Sequence, residues 1–342
     1  MVTMAAEQHS SRPRRDLDRS TQILLADVAR AFYLEGRSKV DIASSLSLSR
    51  FQVAKLLDDA LAHGIVSIRI NDPRERATGG DDALAAALGV DQVTVVAAPA
   101  AGGGDDAERV GIAVMEQLKS RVRPHMTIGI SWSRTLDLAA RFMPSLPPCH
   151  IVQLAGALQL YGTGALPRII AQLGENTGIE TFPIYAPLVV DEPATARDLM
   201  RQPEVAQALG RADRLDLAVV AIGAWAEGRS TVWEKVSEAD RRAGTDAGAV
   251  AEVSGRLVDA QGNPVRTALD ERTISVRIEQ LARTPAVIAV ARGTGRVGSV
   301  IAAVRAGIVS CLVIDDVLAA ELRDHLRDQP LAPQRAHAAL EG

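Results

Sequence analysis

Seven short aliphatic runs between residues 93 and 315, separated by segments of helical periodicity, constrain this chain more than any other feature of its sequence. They are VTVVAA (93–98), TIGIS (127–131), HIVQLAG (150–156), YAPLVV (185–190), DLAVVAIGA (216–224), AVIAVAR (286–292) and VSCLVID (309–315). Each is nearly continuous in Val, Ile, Leu and Ala, as strands covered on both faces are. Strand and helix alternating in this way predict an α/β fold with an open, mostly parallel, Rossmann-like sheet. Ligands of such sheets sit outside the carboxyl ends of the strands. Here those ends are Ser131-Trp132-Ser133-Arg134-Thr135, Gly156, Pro187, Gly223, Arg292-Gly293 and Asp315.

The chain is 342 residues long, enough for two domains. Apolar residues make up 47 % and aromatics 3 %, so a large core must be aliphatic. No apolar run is long enough for a membrane helix. The first twenty residues hold Arg12, Arg14, Arg15 and Arg19 and no apolar stretch, which reads as a disordered arm and not as a secretory signal. Cys149 and Cys311 lie in or beside apolar runs and read as buried, reduced thiols. Without a disulfide framework the expected compartment is the cytoplasm. Residues 1–76 carry 12 Lys+Arg against 10 Asp+Glu and the remainder 26 against 32. That asymmetry is too small to argue for nucleic acid by itself.

The argument for DNA rests on local pattern. Residues 22–36 read as a first helix with Ile23, Leu24, Val28, Ala31, Phe32 and Leu34 inward and Gly36 as its stop. Ser38 to Asp41 form a capping box, which opens a short second helix. Ser49-Arg50-Phe51-Gln52 repeats the pattern and opens a third helix burying Val53, Leu56, Leu57 and Leu61. IVSIRI (65–70) alternates as a strand. Two short capped helices, a tight turn and a strand make a winged helix-turn-helix. Arg50, Phe51 and Lys55 then project from the exposed face of the recognition helix. Arg50 can pair with guanine, and Phe51 can pack on a thymine methyl. The plainer alternative is a structural three-helix unit. Caps, helix lengths and exposed basic positions agree in favour of DNA.

The Gly129–Thr135 loop leaves a strand and enters a helix read as 135–142. Its free N–H groups, the Ser133 and Thr135 hydroxyls and the Arg134 fork form a candidate anion site. The plain alternative is an N-cap with a solvated arginine. Residues 293–298, Gly-Thr-Gly-Arg-Val-Gly, follow a strand, open a helix and have Asp315 at the end of the next strand. That is a literal dinucleotide fingerprint on Gly293, Gly295 and Gly298, and it supports a rival reading as an NAD(P)-binding redox sensor or oxidoreductase. The acids Asp137, Glu175, Glu227 and Glu252 carry no motif marking a catalytic base, and the histidines are scattered. No enzymatic activity, cofactor or metal is therefore expected.

ARAFYLEG, IASSLSLSR and GIVSIRI at the N-terminus, and SWSRT at the end of the TIGIS run, resemble the SorC-type (SorC/DeoR) sugar-binding transcriptional regulators. DAGAVAEVSGRLVDAQGNPV (246–265) is similar to that family's acidic glycine-rich segment, with Glu252 at the acidic position. RTPAVIAVARGTGRVGSVIAAVRAGIVSCLVIDD (283–316) is similar to its last glycine-rich loop. The resemblance spans roughly residues 22–320. It implies an isomerase-like effector domain that binds a sugar phosphate or related carbohydrate, operator DNA of palindromic form, and a homo-oligomer, dimer or tetramer. The DNA contacts it implies are Ser38, Ser49, Arg50, Phe51, Gln52 and Lys55. The effector contacts are Gly129, Ser131, Trp132, Ser133, Arg134, Thr135, Gly156, Glu252, Arg292, Gly293, Arg296 and Asp315. Three departures stand out. Phe51 stands where the family pattern has a small residue after Ser-Arg. Ser47 replaces the turn glycine. Arg296 stands where the family pattern has lysine, and a guanidinium is no nucleophile at neutral pH. The implied organisation is an arm (1–20), a DNA-binding domain (21–70), a linker (71–82), an effector and oligomerisation domain (83–322) and a tail (323–342).

Overall fold

The computed structural model describes residues 19–63, 65–66, 78–98, 106–158 and 178–331. The chain divides into two compact units, residues 1–73 and 74–342. Residues 1–18 of the expected arm lie outside the described residues, as do all of IVSIRI beyond Val66 and most of the linker and tail, while Arg19 and Ser20 belong to the first helix.

In the first unit, α1 (Arg19–Tyr33), α2 (Lys39–Leu46) and α3 (Arg50–Ala62) pack around Leu25, Val28, Ala29, Ala31, Ile42, Ala43, Val53, Leu57 and Ala60. α1 starts and ends earlier than its apolar pattern predicts. Ile23, Leu24 and Leu34 are exposed, and Leu25 and Ala29 take their inward places. Leu61 is likewise exposed while Ala60 is buried. A strongly apolar helix end does not reveal which of two adjacent residues faces inward; neighbouring helices decide. Both capping boxes are present. Ser38 Oγ accepts from the Asp41 N–H and Asp41 accepts from the Ser38 N–H, and Ser49 and Gln52 repeat the exchange.

Ser47 adopts φ 55 and ψ 37, the left-handed conformation that a glycine would fill without strain. Ser47→Gly is therefore expected to stabilise the helix-turn-helix by about 1 kcal/mol. The check is the N-terminal transition in scanning calorimetry. An unchanged or lowered midpoint would contradict it.

Among the described residues, the second unit contains an eleven-stranded sheet. Along its main path lie β1 (Thr78–Gly80), β2 (Gln92–Val96), β11 (Cys311–Asp315), β10 (Ala286–Val290), β6 (Leu217–Ala224), β3 (Thr127–Ile130), β4 (Cys149–Gln153) and β5 (Ile179–Phe182). All neighbours on this path are parallel except β1 with β2. Alternate residues face opposite layers. Val287 and Ala289 of β10 enter one apolar cluster, and Ile288 and Val290 enter the other; Ala218, Val220 and Leu217, Val219 of β6 divide in the same way. Burial on both faces is why these strands read as continuous apolar runs. Cys149 and Cys311 are free and buried, and burial raises both thiols above their ordinary pKa.

The structure corrects one strand expectation. YAPLVV (185–190) is not a strand; it makes only single bridges, Ala157 to Pro187 and Val189 to Thr273. Pro187 has no N–H to donate, so a regular ladder cannot form there. The strand is instead the preceding IETF of β5, whose half-polar sequence reflects an edge position. The glycine-rich segment 246–265 forms an antiparallel extension of β6. There β7 (Ala249–Val253) turns through Ser254-Gly255 into β8 (Arg256–Asp259), which pairs with β9 (Pro264–Val265). Ser254 (φ 54) and Gly255 (φ 84) are both left-handed, the requirement of a two-residue type I′ hairpin.

Candidate functional site

Strand order locates the ligand site. From β3 the chain steps outward to β4 and β5, whereas from β6 it steps the other way to β10 and β11. The adjacent pair β3 and β6 is therefore a topological switch point, where the loops diverge and leave a crevice. A cleft of about 380 Å³ opens there, within the range of small-molecule sites, roughly 300–1,000 Å³. It is lined by the segments following β3 (Ser131–Thr135), β6 (Gly228–Val232) and β10 (Ala291–Thr294), together with Gly156, Glu252, Ser254 and Arg296.

Ten of the twelve sequence-derived effector residues line this cleft: Ser131, Trp132, Ser133, Arg134, Thr135, Gly156, Glu252, Arg292, Gly293 and Arg296. Gly129 and Asp315 do not. Gly129 lies within β3 against the core, where a Cβ would come within 2.6 Å of Leu154 and 2.9 Å of Leu215. Asp315 supports the last loop from behind. It accepts the Gly293 N–H at 2.6 Å and caps α14 (Asp316–Asp328) through the Leu318 N–H.

The loop after β3 enters α6 (Arg134–Ala139), which continues as a 3₁₀ turn to Phe142. Ser133 caps it by accepting the Leu136 N–H at 3.0 Å. Arg134 is not a free fork: its Nη2 donates to Glu234 Oε2 at 2.5 Å. The unpaired positive charge lies elsewhere. Arg229, Arg292 and Arg296 all line the cleft, and among the described residues none forms an ion pair with a carboxylate. Arg229 Nη1 donates to the Gly295 carbonyl at 3.2 Å, and Arg296 Nη2 donates to the Arg229 carbonyl at 3.0 Å. Arg292 Nε donates to Thr135 Oγ1 at 3.3 Å, tying the last loop to the first. Gly295 makes this possible: a Cβ there would sit 2.1 Å from Arg229 Nη1.

Glu252 closes the cleft floor. Its Oε2 accepts from Ser230 Oγ at 3.2 Å and its Oε1 accepts the Gly255 N–H at 2.5 Å. Burial pushes its pKa up to about 7 against the lowering effect of those two hydrogen bonds. Gly223 on β6 leaves room for the carboxyl, since a Cβ would lie 2.9 Å from Oε2. The left-handed Ser254 donates from its Oγ to Ser131 Oγ at 2.9 Å, joining the hairpin turn to the β3 loop.

Sequence reasoning missed Arg229, Ser230, Glu234 and Ser254 as cleft residues. The available signal was that Arg229 and Ser230 follow a strand end. Only the β3–β6 adjacency shows that this end faces the SWSRT loop.

The dinucleotide reading does not fit the last loop. Asp315, the acid that would bind a ribose, is committed to Gly293 and the α14 cap. A Cβ added at Gly298 would meet nothing within 4 Å, so no close approach demands glycine there. Among the described residues lining the cleft there is no lysine.

On the first unit, Arg50, Phe51 and Lys55 are exposed on α3, Phe51 at 72 %. The Arg50 guanidinium lies 4.8 Å from the Phe51 ring centroid, a cation–π stack that orients it. Gln52 Oε1 is held by the cap, as are the Ser38 and Ser49 hydroxyl oxygens.

A capped helix-turn-helix joined to an α/β unit with a cationic cleft at its switch point defines a ligand-responsive DNA-binding regulator. The family model described as "Putative sugar-binding domain" matches residues 73–322. The chain belongs to the SorC/DeoR family of sugar-binding transcriptional regulators. It is 27 % identical over 317 residues to the deoxyribonucleoside regulator of Bacillus subtilis (strain 168), covering 91 % of this chain and 100 % of that protein. To the transcriptional regulator LsrR of Escherichia coli (strain K12) it is 27 % identical over 308 residues, covering 87 % and 94 %. The full-length sorbitol operon regulator SorC from Klebsiella pneumoniae shares the fold, with TM-score 0.62 and 20 % identity over 89 % of this chain and 99 % of that one. No helix among the described residues is long and apolar enough to cross a membrane.

Proposed function

We propose that residues 21–70 read operator DNA through α3 and that the cleft in residues 83–322 binds a phosphorylated carbohydrate whose occupancy changes operator affinity. The protein acts in the cytoplasm as a homo-oligomer, dimer or tetramer, because a palindromic operator presents two equivalent half-sites. It binds its effector without turning it over. The observation carrying the effector assignment is the cluster of Arg229, Arg292 and Arg296, which has no carboxylate ion pair among the described residues, in a cleft where the Ser131 and Ser133 hydroxyls can still donate to a sugar. Guanidinium forks bind phosphate bidentately, and the same groups would only repel one another in an empty neutral pocket.

The test is isothermal titration of phosphorylated sugars and their free parents. Arg296→Ala is expected to weaken a phosphorylated ligand by about 1.5–3 kcal/mol and its free parent far less. Arg134→Ala is expected to have the smaller effect, because Glu234 already holds that side chain. Equal losses for both ligands in Arg296→Ala would end the phosphate assignment. A wild-type preference for the free sugar would change the effector class.

A further inference from the structure

Of the first three residues of α3, two are left to meet base edges. The third, Gln52, is committed to the cap. Its Oε1 accepts the Ser49 N–H at 2.7 Å, so its amide is turned back onto the helix end and not outward for the paired contact that adenine takes. Phe51 lies at the centre of the outward face. At about 100° per residue it points away from Val53, Leu57 and Ala60, the buried residues of the helix, with exposed Lys55 one turn behind it. Arg50 leaves the helix about 100° to one side, yet its guanidinium lies 4.8 Å from the Phe51 ring centroid. The phenyl thus draws the fork onto the outward face. A single exposed aromatic is ordinary on a protein surface. One that is 72 % exposed at the centre of this face, with an arginine folded onto it, is placed for a contact outside the protein. The apolar feature that base edges offer in the major groove is a pyrimidine C5-methyl. The 4.8 Å between fork and ring exceeds the roughly 3.4 Å rise from one base pair to the next, so the two side chains address neighbouring pairs.

We propose that Phe51 is a specificity-determining residue of the DNA site. It packs on the C5-methyl of a pyrimidine in the base pair next to the guanine that Arg50 reads, and the two side chains recognise that methyl and guanine as one step. This inference rests on the reading of operator DNA through α3 and names what the helix selects. Phe51 departs from the family pattern, so the contact is particular to this chain. Thymine and 5-methylcytosine carry the same methyl at the same place in the groove, and either base satisfies the contact.

Fluorescence anisotropy of the full chain, on a site it selects from a randomised DNA pool, tests this. In that site a thymine should adjoin the guanine whose contact is lost in Arg50→Ala. Deoxyuridine in place of that thymine removes only the methyl and should weaken wild-type binding about fourfold. Cytosine and 5-methylcytosine at the same position should differ by a similar factor, with the methylated base tighter; the tighter of thymine and 5-methylcytosine identifies the source of the methyl. Phe51→Ala should erase both differences. Phe51→Leu, which keeps an apolar side chain, should retain most of them. Alanine is a strong helix former at an exposed position, so the fold is kept. A selected site with no thymine beside that guanine, equal wild-type binding of thymine and deoxyuridine, or a difference that persists in Phe51→Ala would overturn the Phe51 assignment and leave α3 as the reading helix. Wild-type affinity and selectivity in Arg50→Ala would overturn both.

Discussion

Replacing Arg50 by alanine is expected to weaken binding to the protein's DNA site by about 1–3 kcal/mol and to relax selectivity at one base position. Arg50 is the first residue of α3, exposed, and stacked on Phe51 at 4.8 Å. The stack limits its rotamers before DNA arrives, so less conformational entropy is lost when the fork meets a guanine. The Ser49–Gln52 capping box fixes the helix end that carries it. Wild-type binding should also fall steeply between about 50 and 200 mM salt through counterion release. Fluorescence anisotropy on a site selected by the protein from a randomised DNA pool measures both effects. If Arg50→Ala binds that site as tightly and as selectively as wild type, α3 is not the reading helix.

The second large effect concerns Glu252 and pH. Its carboxyl has an ordinary value of 4.5 and is raised by burial to about 7 in the folded protein. Below the unfolded value both states are protonated and the residue is neutral in its effect. As pH rises through the window from 4.5 to about 7, the unfolded chain loses its proton first, so stability falls. Above that window the loss levels off at roughly 3 kcal/mol. Glu252→Gln keeps an acceptor for the Gly255 N–H and removes the titration, and the Ser230 hydroxyl can turn to accept from the new amide. The variant should match wild type near pH 4 and exceed it at pH 8 by about 3 kcal/mol. Urea unfolding of the α/β unit at the two pH values gives the answer. A variant equally or less stable at pH 8 would show that burial does not raise the Glu252 carboxyl above its ordinary value. The residue would be retained for the cleft despite its cost, since stability and a functional buried acid pull in opposite directions.

The two units differ in how far local sequence reaches. In the helix-turn-helix, Ser38–Asp41 and Ser49–Gln52 are four-residue patterns whose hydrogen bonds close within themselves, so they are legible in sequence and present in the structure. The inward face of α1 is less legible, because Ile23, Leu24 and Leu25 are adjacent and apolar and only the packing of α2 and α3 selects Leu25. At Ser47 the sequence shows a residue in place of the turn glycine but not the backbone conformation it takes. Its φ of 55 shows that strain was accepted.

In the α/β unit the sequence by itself determined the strands that are buried on both faces, since continuous Val, Ile and Leu have no other stable place, and it marked SWSRT and Arg292-Gly293 as lying at strand ends, while Glu252 was implied only by the family resemblance. Tertiary structure alone decided which of those ends meet. Arg229 and Glu234 follow β6, Ser254 sits in a hairpin turn, and Gly129 and Asp315 look like site residues in sequence yet face the core or the back of a loop. The physical reason is range. Periodicity and capping act over a few residues, whereas the cleft exists because β3 pairs with β6 across about 90 residues of chain, and that pairing is fixed by the whole sheet's burial and not by any segment within it.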